Sequence, residues 1–90
     1  MISHTNDRFK SALARLPAEV RAKAREAYRL FQDDPWHDSL KFKRVHQTEP
    51  IYSARLGRDY RVLGVRAKSE IVWFWIGPHD EYDRILKTFR

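Results

Sequence analysis

Two arginines of this chain lie inside apolar, strand-like runs, Tyr52-Ser53-Ala54-Arg55-Leu56 and Tyr60-Arg61-Val62-Leu63. A His and a Tyr, His79 and Tyr82, follow three residues apart, just beyond the apolar run 71–76. Cations held on a sheet beside a titratable pair suit the binding and cleavage of a phosphodiester. Each residue also has a purely structural reading. Arg61 can pair with Asp59, Glu49 or Asp80, because an unpaired buried guanidinium is costly. His79 can be a solvated helix-start residue, and Tyr82 falls on the apolar stripe of the last helix.

Whether Arg55 and Arg61 share a face depends on one turn. A two-residue loop, Gly57-Arg58, suits a type II′ hairpin and sends the two arginines to opposite faces. A three-residue loop, Gly57-Arg58-Asp59, sets Arg55 directly opposite Arg61. A slip of one residue flips every side chain of a strand, so the hydrophobic pattern arbitrates. The longer loop gathers Tyr52, Ala54, Leu56, Tyr60, Val62 and Gly64 on one apolar face. The other face then carries Ile51, Ser53, Arg55, Arg61, Leu63 and Val65. The shorter loop buries Asp59 and Arg61 among apolar neighbours, so the three-residue loop is expected. Two opposed guanidiniums repel unless an anion lies between them, which makes this face a candidate phosphate site.

The elements that must position these residues follow from periodicity. Thr5 or Asn6 can cap a first helix with Phe9, Ala12, Leu13 and Leu16 on one face. Pro17 breaks it and suits the first turn of a second helix, which runs to about Gln32 with Val20, Ala24, Ala27, Tyr28 and Phe31 aligned. Asp33-Asp34-Pro35 ends that helix. From Leu40 the period shortens to two, predicting strands at about 40–46, 50–56, 60–66 and 70–76. Their short links imply an antiparallel meander. The last strand, Ile71-Val72-Trp73-Phe74-Trp75-Ile76, is apolar on both faces and should be central or covered on both sides. Trp73 and Trp75 are expected in the core rather than stacked on bases. Pro78 opens a final helix with Asp80, Glu81 and Asp83 near its start and Tyr82, Ile85, Leu86 and Phe89 on its apolar stripe. The order ααββββα is an α+β fold: an N-terminal helical hairpin, a four-stranded antiparallel meander and a short C-terminal helix.

Ninety residues make a single domain, 1–90. Eighteen Lys and Arg against twelve Asp and Glu give a net charge of +6, which favours polyanions as partners. Arg21, Arg25 and Arg29 form an i, i+4 stripe on the second helix that suits ribosomal RNA, an acidic partner or simply solvent. There are no cysteines, and the four histidines lack zinc-ligand spacing, so no metal site or cofactor is expected. His37 and His46 take no role. The N-terminus has no apolar h-region, and no run is long enough to span a bilayer. A cytoplasmic protein without membrane contact is the expectation.

Taken together, the two N-terminal helices, Leu40-Lys41-Phe42-Lys43, Tyr52-Ser53-Ala54-Arg55-Leu56, Asp59-Tyr60-Arg61-Val62-Leu63 and the ending Ile76-Gly77-Pro78-His79-Asp80-Glu81-Tyr82 resemble the RelE/ParE superfamily of type II toxin–antitoxin toxins. The resemblance covers nearly the whole chain. It implies a small basic toxin neutralised by a cognate antitoxin. In the RelE branch it implies an endoribonuclease that cuts mRNA in the ribosome, and in the ParE branch an inhibitor of DNA gyrase. The RelE branch is favoured. Arg55, Arg61, His79 and Tyr82 match the active positions of the nucleases, and Lys41, Lys43 and Arg58 are candidate RNA contacts. The chain departs from the pattern at Ser53, where some of these nucleases carry a lysine. Metal-free RNA cleavage uses the ribose 2′-hydroxyl as nucleophile and needs a base, an acid and cations for the developing charge. The arginines suit only charge stabilisation and phosphate positioning. His79 suits acid or base work near neutral pH, and Tyr82 suits phosphate orientation or base stacking.

Overall fold

The computed structural model describes residues 1–89. The chain runs β1 (Ile2–Thr5), α1 (Asp7–Ala14), α2 (Ala18–Asp33), a 3-10 turn (Asp38–Leu40), β2 (Lys43–Arg44), β3 (Ile51–Leu56), β4 (Tyr60–Ala67), β5 (Glu70–Pro78) and α3 (His79–Lys87). Asn6 caps α1 through its side-chain oxygen, which accepts from the Phe9 N–H at 2.9 Å. Pro17 opens α2, where a missing N–H costs nothing.

The sheet order is β1-β5-β4-β3-β2. The α+β class is as the periodicity implied, but the sheet has five strands and is mixed. The additional strand, β1, runs parallel to β5, with Ser3 opposite Ile71 and Thr5 opposite Trp73. Its residues Ser3 and His4 are polar and the strand is half exposed, so no apolar alternation marks it. Side-chain bonds hold it instead. Trp73 Nε1 donates to Ser3 Oγ at 2.9 Å, and the Tyr28 hydroxyl donates to Ser3 O at 3.0 Å. The doubly apolar β5 is flanked by β1 and β4, as a strand of that composition requires.

The strand expected at about 40–46 shrinks to Lys43–Arg44. A 3-10 turn and a left-handed Lys41, φ 47°, consume its first half.

The sheet separates two cores. On one side α1 and α2 lay Phe9, Val20 and Phe31 over Ala54, Leu56, Ile71, Trp73 and Ile76. Phe31 meets Phe42 and Trp73 edge-on, with ring centroids 5.0 and 5.3 Å away. On the other side α3 lays Tyr82, Ile85 and Leu86, and Phe89 just beyond it, over Ile51, Leu63, Phe74 and Trp75. A β-bulge divides β5 between them. Leu63 pairs with Trp75 and Gly64 with Trp73, leaving Phe74 unpaired. Phe74 and Trp75 both join the α3 side, whereas Trp73 and Ile76 join the other.

Gly64 makes the close approach of Trp73 possible. A Cβ there would lie 2.7 Å from Trp73 Cε3 and 2.9 Å from Ile71 Cγ1, both in the packed core. Gly64→Ala is therefore expected to destabilise the chain by about 1–3 kcal/mol, read as a lower urea midpoint at unchanged slope. An unchanged midpoint would show that the indole can move aside freely.

Candidate functional site

The turn between β3 and β4 has the three-residue length, and the ladder places Arg55 directly opposite Arg61 and Leu56 opposite Tyr60. Gly57 takes φ +66° there, a left-handed conformation that costs other residues about 1–2 kcal/mol. The backbone carbonyls of this turn then hold the site. Arg55 Nε donates to Gly57 O at 3.0 Å. Arg61 Nη1 donates to Arg58 O at 3.2 Å and to Tyr60 O at 2.8 Å. Asp59 O accepts from the His79 N–H at 2.8 Å, fixing the first residue of α3 to the same turn. Among the described residues neither arginine has a carboxylate partner, so the ion pairs considered for Arg61 do not form.

A cavity of about 420 Å³ opens beside this turn. Lys41, Phe42 and Lys43 wall it at the sheet edge, Ser53 and Arg55 contribute from β3, Arg61 from β4, and His79 and Tyr82 from α3. The volume falls in the range of small-ligand sites. Its wall holds four fixed cations and no carboxylate. Such a wall attracts an anion at close range, and several N–H donors of both guanidiniums have no protein acceptor among the described residues.

His79 keeps 48% of its side chain exposed, and its ring centroid is 6.0 Å from that of Tyr82. Its Nδ1 lies 3.8 Å from Asp83 Oδ2, a long contact one helical turn away. Tyr82 is 8% exposed and packs with Ile51 and Leu63, yet it also lines the cavity. Tyr82 is thus both part of the core under α3 and part of the cavity wall. Lys43 stands directly across the β2–β3 ladder from Ser53, so a lysine borders the position where the strand itself lacks one. Lys41 Nζ is shared with Asp38 at 3.1 Å.

Other candidates lie elsewhere. Arg58 is exposed at the turn and does not line the cavity, although its carbonyl holds Arg61. Trp73 is core, 4% exposed, and Trp75 packs beneath α3. Arg21 donates to Leu16 O, while Arg25 and Arg29 are exposed. Among the described residues no group of three His, Cys, Asp or Glu is arranged to hold a metal ion, and no helix is long and apolar enough to cross a membrane.

One positioning residue carried no sequence signal. His46 Nδ1 accepts from the Thr48 and Glu49 N–H groups at 3.2 and 2.9 Å. Its Nε2 is thereby left to donate to Phe89 O just past α3. The ring ties the β2–β3 loop to the far end of the helix that carries His79 and Tyr82. Only the fold brings residues this distant in the chain together.

At Gly57 a Cβ would meet nothing within 4 Å, so a substitution there tests backbone strain alone. Gly57→Ala is expected to lower stability by about 1 kcal/mol, and Gly57→Asn by less, because asparagine tolerates the left-handed region. Urea denaturation of the three chains decides. Equal stability of all three would mean that the turn relaxes without φ > 0.

The ParE-like toxin domain family matches residues 18–84. No curated protein matches the chain. A chain of the RelB–RelE antitoxin–toxin complex of Methanococcus jannaschii is similar in structure, with TM-score 0.72, 17% identity, and coverage of 90% of this chain and 96% of that one. A chain of the RelE–RelB complex of Pyrococcus horikoshii OT3 is similar at TM-score 0.68 and 22% identity, over 86% and 92% of the two chains. A chain of the RelBE2 toxin–antitoxin complex of Mycobacterium tuberculosis is similar at TM-score 0.70 and 20% identity, over 87% and 96%. At these identities the structural likeness speaks for the fold. The family match spans well over half the sequence and includes both arginines, His79 and Tyr82, and by it the chain belongs to the ParE-like toxin domain family.

Proposed function

We propose that this chain is the toxin of a type II toxin–antitoxin system, acting in the cytoplasm as a metal-independent endoribonuclease on ribosome-associated mRNA. The observation that carries the reading is the cavity that unites Arg55, Arg61, Lys41 and Lys43 with His79 and Tyr82 and has no carboxylate in its wall. The complexes of similar fold are named as antitoxin–toxin pairs, which supports a cognate antitoxin as the partner of this chain.

In this mechanism the scissile phosphate lies between Arg55 and Arg61. The ribose 2′-oxygen forms a bond to phosphorus while the bond from phosphorus to the 5′-oxygen breaks. The 2′-hydroxyl proton passes to a base, and the leaving 5′-oxygen receives one from an acid. His79 performs one of these two transfers. The guanidiniums and Lys43 stabilise the negative charge on the equatorial oxygens, which is larger in the transition state than in the bound substrate. Tyr82, fixed in the core, orients the phosphate.

The family's ParE-like description supports a second reading, a non-enzymatic inhibitor of DNA gyrase acting through its surface. Expression without antitoxin separates the two, with primer extension on a translated and an untranslated message. The nuclease reading expects cleavage of the translated message. It expects His79→Ala to lower the cleavage rate by about 10²–10⁴-fold, and Arg61→Ala by about 10²–10³-fold, in folded protein. Growth arrest and DNA damage with intact mRNA, unchanged in both variants, would establish the gyrase reading instead.

A further inference from the structure

Ser53 is buried, 3% exposed, on a strand whose neighbours on the same face, Ile51 and Leu63, are core residues. Packing alone would be served by alanine at this position. The hydroxyl has no hydrogen-bond partner among the described residues. No fully buried side-chain oxygen or nitrogen among them is left unpartnered. The Ser53 Oγ therefore opens into the cavity that the residue lines. The ladder places Lys43 directly across from it on one side and Leu63 on the other, with Arg55 two residues along the same face. A nearly buried donor, unengaged by protein and set among cations, has the geometry of a group that completes its hydrogen bond with a ligand.

We propose that Ser53 contacts the substrate, its Oγ–H donating to a non-bridging oxygen of the phosphate that Arg55 and Arg61 flank. This rests on the nuclease reading and adds a residue to it. Where the strand lacks a lysine, two residues act together. Lys43 supplies charge from the adjacent strand, and Ser53 supplies a short, directional hydrogen bond from the floor. A neutral donor contributes to affinity without contributing to counterion release.

Binding of a trinucleotide with a 2′-deoxy central sugar, which the site cannot cut, tests this in the isolated chain. Affinity is measured across a salt series for the wild type, Ser53→Ala, Ser53→Thr, Lys43→Met and Arg61→Ala. Ser53→Ala is expected to weaken binding about tenfold with an unchanged salt slope, and Ser53→Thr to recover most of the loss. Lys43→Met is expected to reduce the slope by about 0.7, one phosphate contact on a single strand. The melting temperature of Ser53→Ala should be unchanged or higher, since an unpaired hydroxyl is removed from a buried position. If Arg61→Ala weakens binding while Ser53→Ala binds as wild type, the cavity reading stands and the Ser53 proposal is overturned. A lower melting temperature in Ser53→Ala without rescue by threonine overturns it as well, by showing a packing role. Failure of the wild type to bind, or binding indifferent to Arg61→Ala, overturns the proposal and the cavity reading together.

Discussion

Two positive charges set directly across an antiparallel ladder repel, at a cost of about 0.2–1 kcal/mol for an exposed pair, and Arg55 and Arg61 are held in that arrangement. The turn that joins their strands makes it tolerable. The carbonyls of Gly57, Arg58 and Tyr60 accept from the two guanidiniums, and the one between them, of Asp59, accepts from the first N–H of α3. One left-handed glycine, Gly57, opens that turn. The same few residues therefore fix the register, the arginine side chains and the helix that brings His79 and Tyr82. A turn shorter by one residue would send Arg61 to the opposite face and dissolve the site.

The larger core and the candidate site lie on different faces of the sheet. The side covered by α1 and α2 holds most of the buried aromatic and aliphatic surface, including Phe31, Phe42 and Trp73. The side covered by α3 is smaller, and Tyr82 belongs both to it and to the cavity wall. The bulge at Phe74 reconciles these demands, because it places two adjacent aromatic side chains under α3 without removing Trp73 or Ile76 from the larger core. That helix is short, and its seat depends on its apolar stripe plus a backbone tie at each end, through Asp59 and through His46. A titratable pair on such an element is positioned by contacts rather than by helix propensity.

Much of this was legible in the sequence, for physical reasons that can be named. The helices α1 and α2 announce themselves by apolar spacing and by Asn6 and Pro17. The three-residue turn follows from alternation, since only that length keeps Asp59 and Arg61 out of the larger core. What escaped was non-local. β1 pairs through its backbone and through Ser3, with no apolar pattern to mark it. The doubly apolar β5 did imply cover on both sides, and β1 is the neighbour that keeps it from being an edge. The bulge is invisible in a run where every residue is apolar. β2 is short because Lys41 turns left-handed, which its sequence does not encode locally. That Lys43 lies across from Ser53 is likewise a property of register.

The reaction proposed for this cavity is RNA cleavage through the substrate's own 2′-hydroxyl. The ends of the product test it most directly. With the purified chain, ribosomes and a translated message, the fragments are end-mapped chemically. Attack by the 2′-hydroxyl leaves a 2′,3′-cyclic phosphate on the upstream fragment and a 5′-hydroxyl on the downstream one. A 3′-hydroxyl with a 5′-phosphate would mean that another nucleophile attacks phosphorus, and would contradict it.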